Sequence, residues 1–127
     1  MTYVPSPAGT LLVPSGPNGM HLFVIMTNPC PRGSYLMFSV STIRIGKYHD
    51  PTCTFVGGEH EFITAPSYVV YSHPEQRFAV GLQKCVIGGL FVPRPNLDAE
   101  HFERICEGVA NSARCPPWAV SHFTKYR

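Results

Sequence analysis

Apolar residues in the first three quarters of the chain form short segments that are separated by Pro, Gly, Ser and Asn. Some segments alternate: in residues 35–45, the side chains of Phe38, Val40 and Thr42 share one face of an extended chain. We predict β-structure at residues 9–13, 21–27, 35–45, 52–56, 68–71, 77–82 and 85–92. About six short strands at this spacing are typical of a small barrel or a strongly curved sheet, so the predicted fold class is mainly β.

The pattern changes near residue 97, where apolar residues recur with a helical period. The predicted helix covers residues 97–112, with Asn96 as a candidate N-cap. The residues predicted to form its buried stripe are Phe102, Ile105, Cys106 and Val109. This helix is expected to lie across the sheet through that stripe.

The remaining residues, 113–127, include Cys115-Pro116-Pro117, which cannot continue a helix. We expect them to form a flexible tail or to dock on a partner. A length of 127 residues suits one hydrophobic core. The predicted organisation is a single β-barrel domain over residues 1–112, with the helix at its C-terminal end, followed by this tail.

Composition narrows the class of protein only in part. Apolar residues make up 44% of the chain and charged residues 14%, as in a folded protein, and the net charge of +2 neither indicates nor excludes RNA binding. No apolar run approaches the roughly 20 residues that span a bilayer, so we expect a soluble, cytoplasmic protein without a membrane partner. The five cysteines lie at scattered spacings without a CxxC pair, so we expect free thiols in the core.

Chemically active side chains are concentrated in residues 49–62, HDPTCTFVGGEHEF. Four of them are candidate zinc ligands: His49, Asp50, Cys53 and His60. Their spacing matches no compact zinc motif, and we predict no cofactor. Cys53 and His60 are also a conceivable nucleophile and base, although Cys53 lies in a segment typical of a core strand. Gly57-Gly58 predicts a tight turn with positive φ, which would bring His60 back towards His49.

Acid–base catalysis is another interpretation of the same stretch. An imidazole titrates near neutral pH, so His49 and His60 are a candidate base and acid for cleaving an RNA phosphodiester bond. The hydroxyls and cations just upstream are suited to binding the phosphate. The candidate catalytic residues are Ser41, Thr42, Arg44, His49 and His60, with Lys47 as a candidate substrate-binding residue. In the structural alternative, the histidines cap turns and the cations form a solvated face.

Residues 67–71 alternate as well, so that Tyr68 and Val70 share one face and Tyr71 lies on the other. A tyrosine on a barrel surface can stack on a base or hydrogen-bond a phosphate. Tyr71 is therefore a candidate substrate-binding residue, whereas the alternative is packing against the core.

Five segments carry a resemblance to a known family. They are Gly9–Val13, HLFVIMT at 21–27, LMFSVST at 36–42, LQKCVIGGLF at 82–91 and LDAEHFERICEGVA at 97–110. In this order they resemble the PemK/MazF-like toxins, small proteins with a curved SH3-like β-barrel and a C-terminal helix. The likeness covers residues 8–112 and lies in the pattern and order of segments.

The resemblance implies an endoribonuclease that cleaves single-stranded RNA, forms a homodimer and is silenced by a cognate antitoxin protein. In that family an arginine in the loop before the second strand acts with a Thr or Ser at the end of the third; Ser41 and Thr42 match the hydroxyl. Residues 14–20 contain no Arg or Lys, and His21 holds the position before the second strand. His21, a candidate for binding the substrate, or the stretch 49–62 would then replace the arginine.

Two other functions fit the same sequence. A non-catalytic protein-binding module on the same barrel agrees with the low charge, because RNA affinity depends on phosphate contacts. A zinc-stabilised domain would draw its ligands from residues 49–62.

Overall fold

One curled antiparallel sheet forms the body of the protein in a computed structural model that describes residues 3–14 and 19–127. Its strands are β1 Thr10–Pro14, β2 Met20–Ile25, β3 Ser34–Thr42, β4 Thr54–Phe55, β5 Ser67–Phe78 and β6 Val92–Arg94. They lie in the order β4-β5-β3-β2-β1-β6. The described helices are α1 Ala79–Ile87, α2 Ala99–Asn111 and α3 Pro117–Tyr126. This curled half-barrel with helices confirms the predicted mainly-β class and its small curved barrel.

The central strands β2 and β3 are buried on both faces. In β3, Leu36 and Phe38 belong to a first core that includes residues of α2 and α3, whereas Met37 belongs to a second core with α1. In β2, Val24 belongs to the first core and Phe23 to the second. A strand covered on both sides carries a continuous apolar run, which explains why the segment at 21–25 does not alternate in the sequence.

The longest strand pairing joins β3 to β5. It runs from Ser34 opposite Phe78 to Thr42 opposite Ser67, with a register shift near Met37. Such an irregularity bends a strand and increases its twist, which contributes to the curl of the sheet.

Side chains connect the two ends of the sheet, where β4 and β6 are the edge strands. His60, in the loop after β4, hydrogen-bonds the carbonyl of Pro95, just after β6, with 2.7 Å between Nε2 and the oxygen. Thr10 of β1 donates its hydroxyl to the same carbonyl at 2.9 Å. Arg94 and Glu61 add an ion pair at 3.1 Å. We name the hydrogen bond between His60 and Pro95 the closing contact.

A tight turn carries the chain to His60. Gly58 has a φ of +96°, and its N–H donates to the carbonyl of Ile63 at 2.6 Å. A Cβ on Gly57 would come within 2.8 Å of the Thr64 carbonyl, so only glycine fits there without a shift. The predicted Gly57-Gly58 turn is confirmed, with the positive φ at its second residue.

Two of the predicted strands, 77–82 and 85–92, are wrong, because helix α1 occupies most of this segment. Leu82 is buried in the second core, and Ala79 and Val86 pack against that core. These three residues are spaced i, i+3 and i+7, which is a helical period. The β-branched residues of the segment favoured a strand locally, and the packing of the helix on the sheet overrides that preference.

A glycine pair ends α1 and turns the chain towards β6. Gly89 has a φ of +80°, and its N–H donates to the Val86 carbonyl at 3.1 Å. The N–H of Leu90 donates to the Cys85 carbonyl at 2.9 Å. These two hydrogen bonds form a Schellman cap, in which the left-handed residue is almost always glycine.

The predicted helix at 97–112 is confirmed as α2, Ala99–Asn111. Its N-cap is Asp98, whose Oδ1 accepts the N–H of His101 at 2.8 Å, so the prediction of Asn96 as the cap is wrong. The cap falls later because the intervening residue, Leu97, is buried in the first core before the helix begins.

The predicted flexible or partner-docked tail is wrong for residues 117–126, which form α3. Ala119 and Phe123 are buried in the same core as α2, and the N–H of Asn28 donates to the Tyr126 carbonyl at 2.8 Å. Pro117 occupies the first turn of α3, where the backbone N–H that proline lacks would have no acceptor within the helix. The packed body therefore extends beyond residue 112.

We expect Gly108→Ala to destabilise the protein, because a Cβ at this position would collide with the hydroxyl of the buried Tyr71. The free energy of unfolding should fall by about 1–3 kcal/mol, the usual cost of overpacking, although Ala favours a helix. Urea denaturation measures this loss. Gly81→Ala in α1 is the matched control, since nothing lies within 4 Å of a Cβ there. Equal effects of the two substitutions would contradict the expected collision.

We also expect stability to depend on pH through His122 of α3. Burial lowers its pKa below the ordinary 6.5, so the unfolded chain binds a proton more readily than the folded one as the pH falls through that value. The free energy of unfolding should therefore decrease between about pH 7 and about pH 5. His122→Leu should reduce this decrease in urea denaturation, whereas any packing cost would apply at both pH values. Parallel pH profiles of the two proteins would refute the assignment.

Candidate functional site

A groove with a volume of about 540 Å³ opens on the sheet where β3 ends. Strands β1, β2, β3 and β5 contribute to it, together with the loops that follow β3 and β4. Its volume falls within the roughly 300–1,000 Å³ of typical ligand clefts. We name it the β3 groove.

Five of the eight predicted catalytic and substrate-binding residues line the β3 groove: His21, Ser41, Thr42, Arg44 and Lys47. The two hydroxyl residues end β3, where Ser41 is paired with Tyr68 and Thr42 with Ser67 of β5. This pairing fixes the backbone of both residues at the end of the longest pairing in the sheet. The structure thus brings these candidates together, and their roles stay predictions.

Three aromatic side chains, Tyr48, Phe62 and Tyr68, also line the groove. Arginines stack on two of these rings: Arg114 lies 4.7 Å from the centre of Tyr48, and Arg94 lies 4.2 Å from the centre of Phe62. Guanidinium groups over aromatic faces are attractive contacts that hold such rings in place. The groove therefore has aromatic walls that are supported from outside.

The formal charge of the groove is positive. Arg44 and Lys47 line it, and no Asp or Glu does so in the part of the chain that the structure describes. A cleft lined by one sign of charge concentrates ligands of the opposite sign. The groove is therefore suited to an anion with flat, apolar groups attached.

His21 supplies an imidazole whose hydrogen bonding is incomplete. It lies in β2 opposite Val13 of β1, and its Nδ1 is buried without a hydrogen-bond partner among residues 3–14 and 19–127. Most buried polar atoms in folded proteins have partners, and each exception needs a structural or functional reason. The imidazole lines the groove from within β2, and not from a loop before that strand as the sequence predicted.

His49 lies beside the groove, with its ring centre 5.5 Å from that of Tyr68. The next residue, Asp50, is buried and accepts hydrogen bonds from Thr52 and, at 2.6 Å, from the hydroxyl of Ser112. Burial raises the pKa of Asp50, but these hydrogen bonds outweigh it and hold the pKa below its ordinary value. Asp50 therefore ties the loop to the end of α2, next to His49.

His60 does not line the groove, because both of its ring nitrogens are occupied elsewhere. Nδ1 accepts the N–H of Phe62 at 3.1 Å, so Nε2 carries the proton and donates it to Pro95 in the closing contact. The turn at Gly57-Gly58 sends this imidazole across the sheet edge. The structure thus places His60 outside the groove, in a hydrogen-bonded position between the two ends of the sheet.

Tyr71 and Cys53 are core residues. Tyr71 is 0% exposed and donates its hydroxyl to the Ile105 carbonyl at 2.8 Å, so the prediction that it binds substrate is wrong. Burial raises the pKa of the Cys53 thiol, which stays protonated and is a poor nucleophile. The alternation in residues 67–71 is confirmed, and it is Tyr68, on the opposite face, that lines the groove.

The weak metal candidates do not form a ligand set. They are His49, Asp50, Cys53 and His60. Among the residues that the structure describes, no three His, Cys, Asp or Glu side chains converge as metal ligands would. Asp50 accepts hydrogen bonds from Thr52 and Ser112, whereas His60 closes the sheet. The zinc-stabilised interpretation therefore has no ligand set in this stretch.

Sequence reasoning missed Tyr48 and Phe62 as groove residues. Both lie in loops, where no periodicity shows which way a side chain points. Local composition was the one indication of Tyr48, which follows Lys47 directly. Surfaces that bind single-stranded nucleic acid combine positive charge with aromatic side chains.

No family model, curated protein or solved structure matches this chain. The likeness to PemK/MazF-like toxins therefore depends on the order of segments alone. Within the two described ranges, no helix combines the length and apolar character needed to cross a membrane.

We expect His60→Ala to lower the free energy of unfolding by about 1–3 kcal/mol, because it breaks the closing contact and leaves the Phe62 N–H without its partner. Urea denaturation at neutral pH measures the loss. His73→Ala is the matched control, since His73 is exposed on β5. Unchanged stability would contradict this structural role of His60.

Proposed function

We propose that the protein is an endoribonuclease that cleaves single-stranded RNA in the β3 groove by acid–base chemistry. One observation carries this proposal: the groove combines an imidazole, hydroxyls, two cations and three aromatic rings, with no carboxylate among its described lining residues. Each of these groups has a use in binding or cutting an RNA strand.

Binding would use both the charge and the rings of the groove. Arg44 and Lys47 can contact phosphates, which supply most of the affinity for nucleic acids. Tyr48, Phe62 and Tyr68 can stack on bases, and stacking contributes about 1–3 kcal/mol for each base in single-strand binding proteins. Unpaired bases are needed for such stacking, so a single strand fits this groove better than a duplex.

Cleavage requires the 2′-hydroxyl oxygen to bond to the adjacent phosphorus while the P–O5′ bond breaks. One imidazole takes the 2′-hydroxyl proton and another gives a proton to the departing 5′-oxygen, leaving a 2′,3′-cyclic phosphate and a 5′-hydroxyl. His21 and His49 are the two imidazoles in or beside the groove. Arg44 and Lys47 would offset charge on the phosphate, and the hydroxyls at the end of β3 would hydrogen-bond its oxygens.

This proposal adapts the pattern of the PemK/MazF-like toxins. Their arginine precedes the second strand, whereas here His21 lies within β2 and Arg44, after β3, brings a guanidinium to the groove. A toxin–antitoxin role in the cytoplasm, with a cognate antitoxin protein as partner and a homodimer as the assembled form, extends the proposal on the strength of that resemblance.

A non-catalytic protein-binding module is the second candidate, and α1 favours it. Val80 and Ile87 of this helix and the nearby Leu90 expose large apolar side chains. Large exposed apolar patches often mark a protein interface. In that case the protein would hold a partner and leave RNA intact.

We expect His21→Gln to reduce cleavage of a single-stranded RNA oligonucleotide by about 100-fold or more, because it removes a group that transfers a proton. Arg44→Ala should cause a comparable loss, of about 100- to 1,000-fold, by removing charge stabilisation of the phosphate. Cleavage is followed by gel electrophoresis, with the cyclic phosphate and 5′-hydroxyl ends identified by mass spectrometry. A DNA oligonucleotide of the same sequence should remain intact because it lacks the 2′-hydroxyl.

Two exposed residues outside the groove provide matched controls. His73→Ala and Lys84→Ala remove an imidazole and a cation, and both variants should cleave as the wild type does. Groove variants that cleave as well as these controls would refute the assigned site.

RNA affinity should also fall steeply as salt rises, and the absence of binding at low salt would favour the protein-binding module.

A further inference from the structure

Ile45 is the most exposed large apolar side chain in the described chain, with a relative exposure of 105%. It stands at the tip of a turn in which the Lys47 N–H donates to the Arg44 carbonyl at 3.2 Å. Gly46, with a φ of +78°, makes this turn possible. Ile45 thus projects into solvent between two cations that line the β3 groove.

The segment that presents Ile45 is anchored on both sides. Before the tip, the N–H of Ile43 donates to the Pro66 carbonyl at 2.9 Å. After the tip, Arg114 stacks on Tyr48, and Asp50 is hydrogen-bonded to the loop that follows it and to the end of α2. A turn that is anchored on both sides at the rim of the groove therefore holds Ile45 in its exposed position.

A single exposed apolar residue is ordinary on a protein surface. Ile45 differs because Arg44, Lys47 and Tyr48, its close neighbours in the same turn, all line the groove. A strand held by the two cations would pass its bases next to this side chain. Apolar side chains of proteins that kink DNA insert between neighbouring bases and unstack them, and an exposed isoleucine can act on an RNA strand in the same way.

We infer that Ile45 is a wedge that separates two stacked bases of the RNA at the cleaved position. This inference rests on the proposed function. Stacking holds the 2′-oxygen out of line with the P–O5′ bond, whereas the attacking and leaving oxygens must be roughly in line for transfer. Separating the bases frees the backbone between them to reach that geometry, while Arg44 and Lys47 hold the phosphate.

The wedge matters most where the substrate resists unstacking. Neighbouring adenosines stack strongly and neighbouring uridines weakly, so the wild type should cut a bond between two adenosines and a bond between two uridines at similar rates. Ile45→Ser should lose this tolerance. We expect kcat/KM to fall by about tenfold or more in the adenosine context and by about twofold or less in the uridine context, because unstacking a base has a free-energy cost.

The test uses the purified full chain and two RNA oligonucleotides that are identical except at the two nucleotides joined by the mapped cleaved bond, which are adenosines in one RNA and uridines in the other. Ile45→Leu keeps the apolar bulk and should retain wild-type rates on both RNAs. Ile87→Ser, an exposed isoleucine of α1, is the matched control and should also cleave both as the wild type does. An equal effect of Ile45→Ser on the two RNAs would overturn the wedge while the proposed nuclease stands.

Two further outcomes also decide the question. If the wild type cleaves neither RNA, the nuclease proposal fails and the wedge fails with it. Vesicles of phosphatidylserine and phosphatidylcholine test a membrane role for the same tip, since an apolar residue between two cations also suits an anionic lipid surface. Loss of vesicle binding by Ile45→Ser, with wild-type cleavage of both RNAs, would assign Ile45 to a membrane and overturn the wedge.

Discussion

The closing contact between His60 and Pro95 is the interaction on which the shape of this protein depends. The strand order leaves β4 and β6 as edges, and an open edge exposes backbone groups without partners. His60 spans the two ends with Nε2, while its Nδ1 accepts the N–H of Phe62, a residue of the groove wall. A neutral imidazole suits this position because one rigid ring offers a donor and an acceptor in different directions.

Burial divides the polar residues near the groove into two groups. Asp50 and His60 are buried, and their hydrogen bonds fix loops to the rest of the fold. Thr42, Arg44 and Lys47 are exposed at the groove and carry the groups that an RNA strand would contact. The buried residues thus anchor loops beside the groove, and the exposed residues remain free to contact a ligand.

Of the five groove residues that were predicted, four lie close together in the sequence. These four residues lie at or just after the end of one strand: Ser41, Thr42, Arg44 and Lys47. Residues so near in the sequence stay near in space wherever that strand is placed. His60 could not be placed in this way, because its position depends on a hydrogen bond to Pro95, 35 residues later. Tyr71 was placed on the wrong side because alternation separates two faces of a strand without showing which one the core covers.

Local pattern in the sequence was enough for the mainly-β class, the first three strands, the Gly57-Gly58 turn and helix α2, since each follows from short-range periodicity or backbone chemistry. Tertiary structure decided what short-range pattern leaves open: that α1 is a helix because one of its sides packs on the sheet, and that α3 is packed because Ala119 and Phe123 complete the first core. It also decided which histidine lines the groove. Burial and long-range hydrogen bonds make these choices, and they act between residues that the sequence keeps far apart.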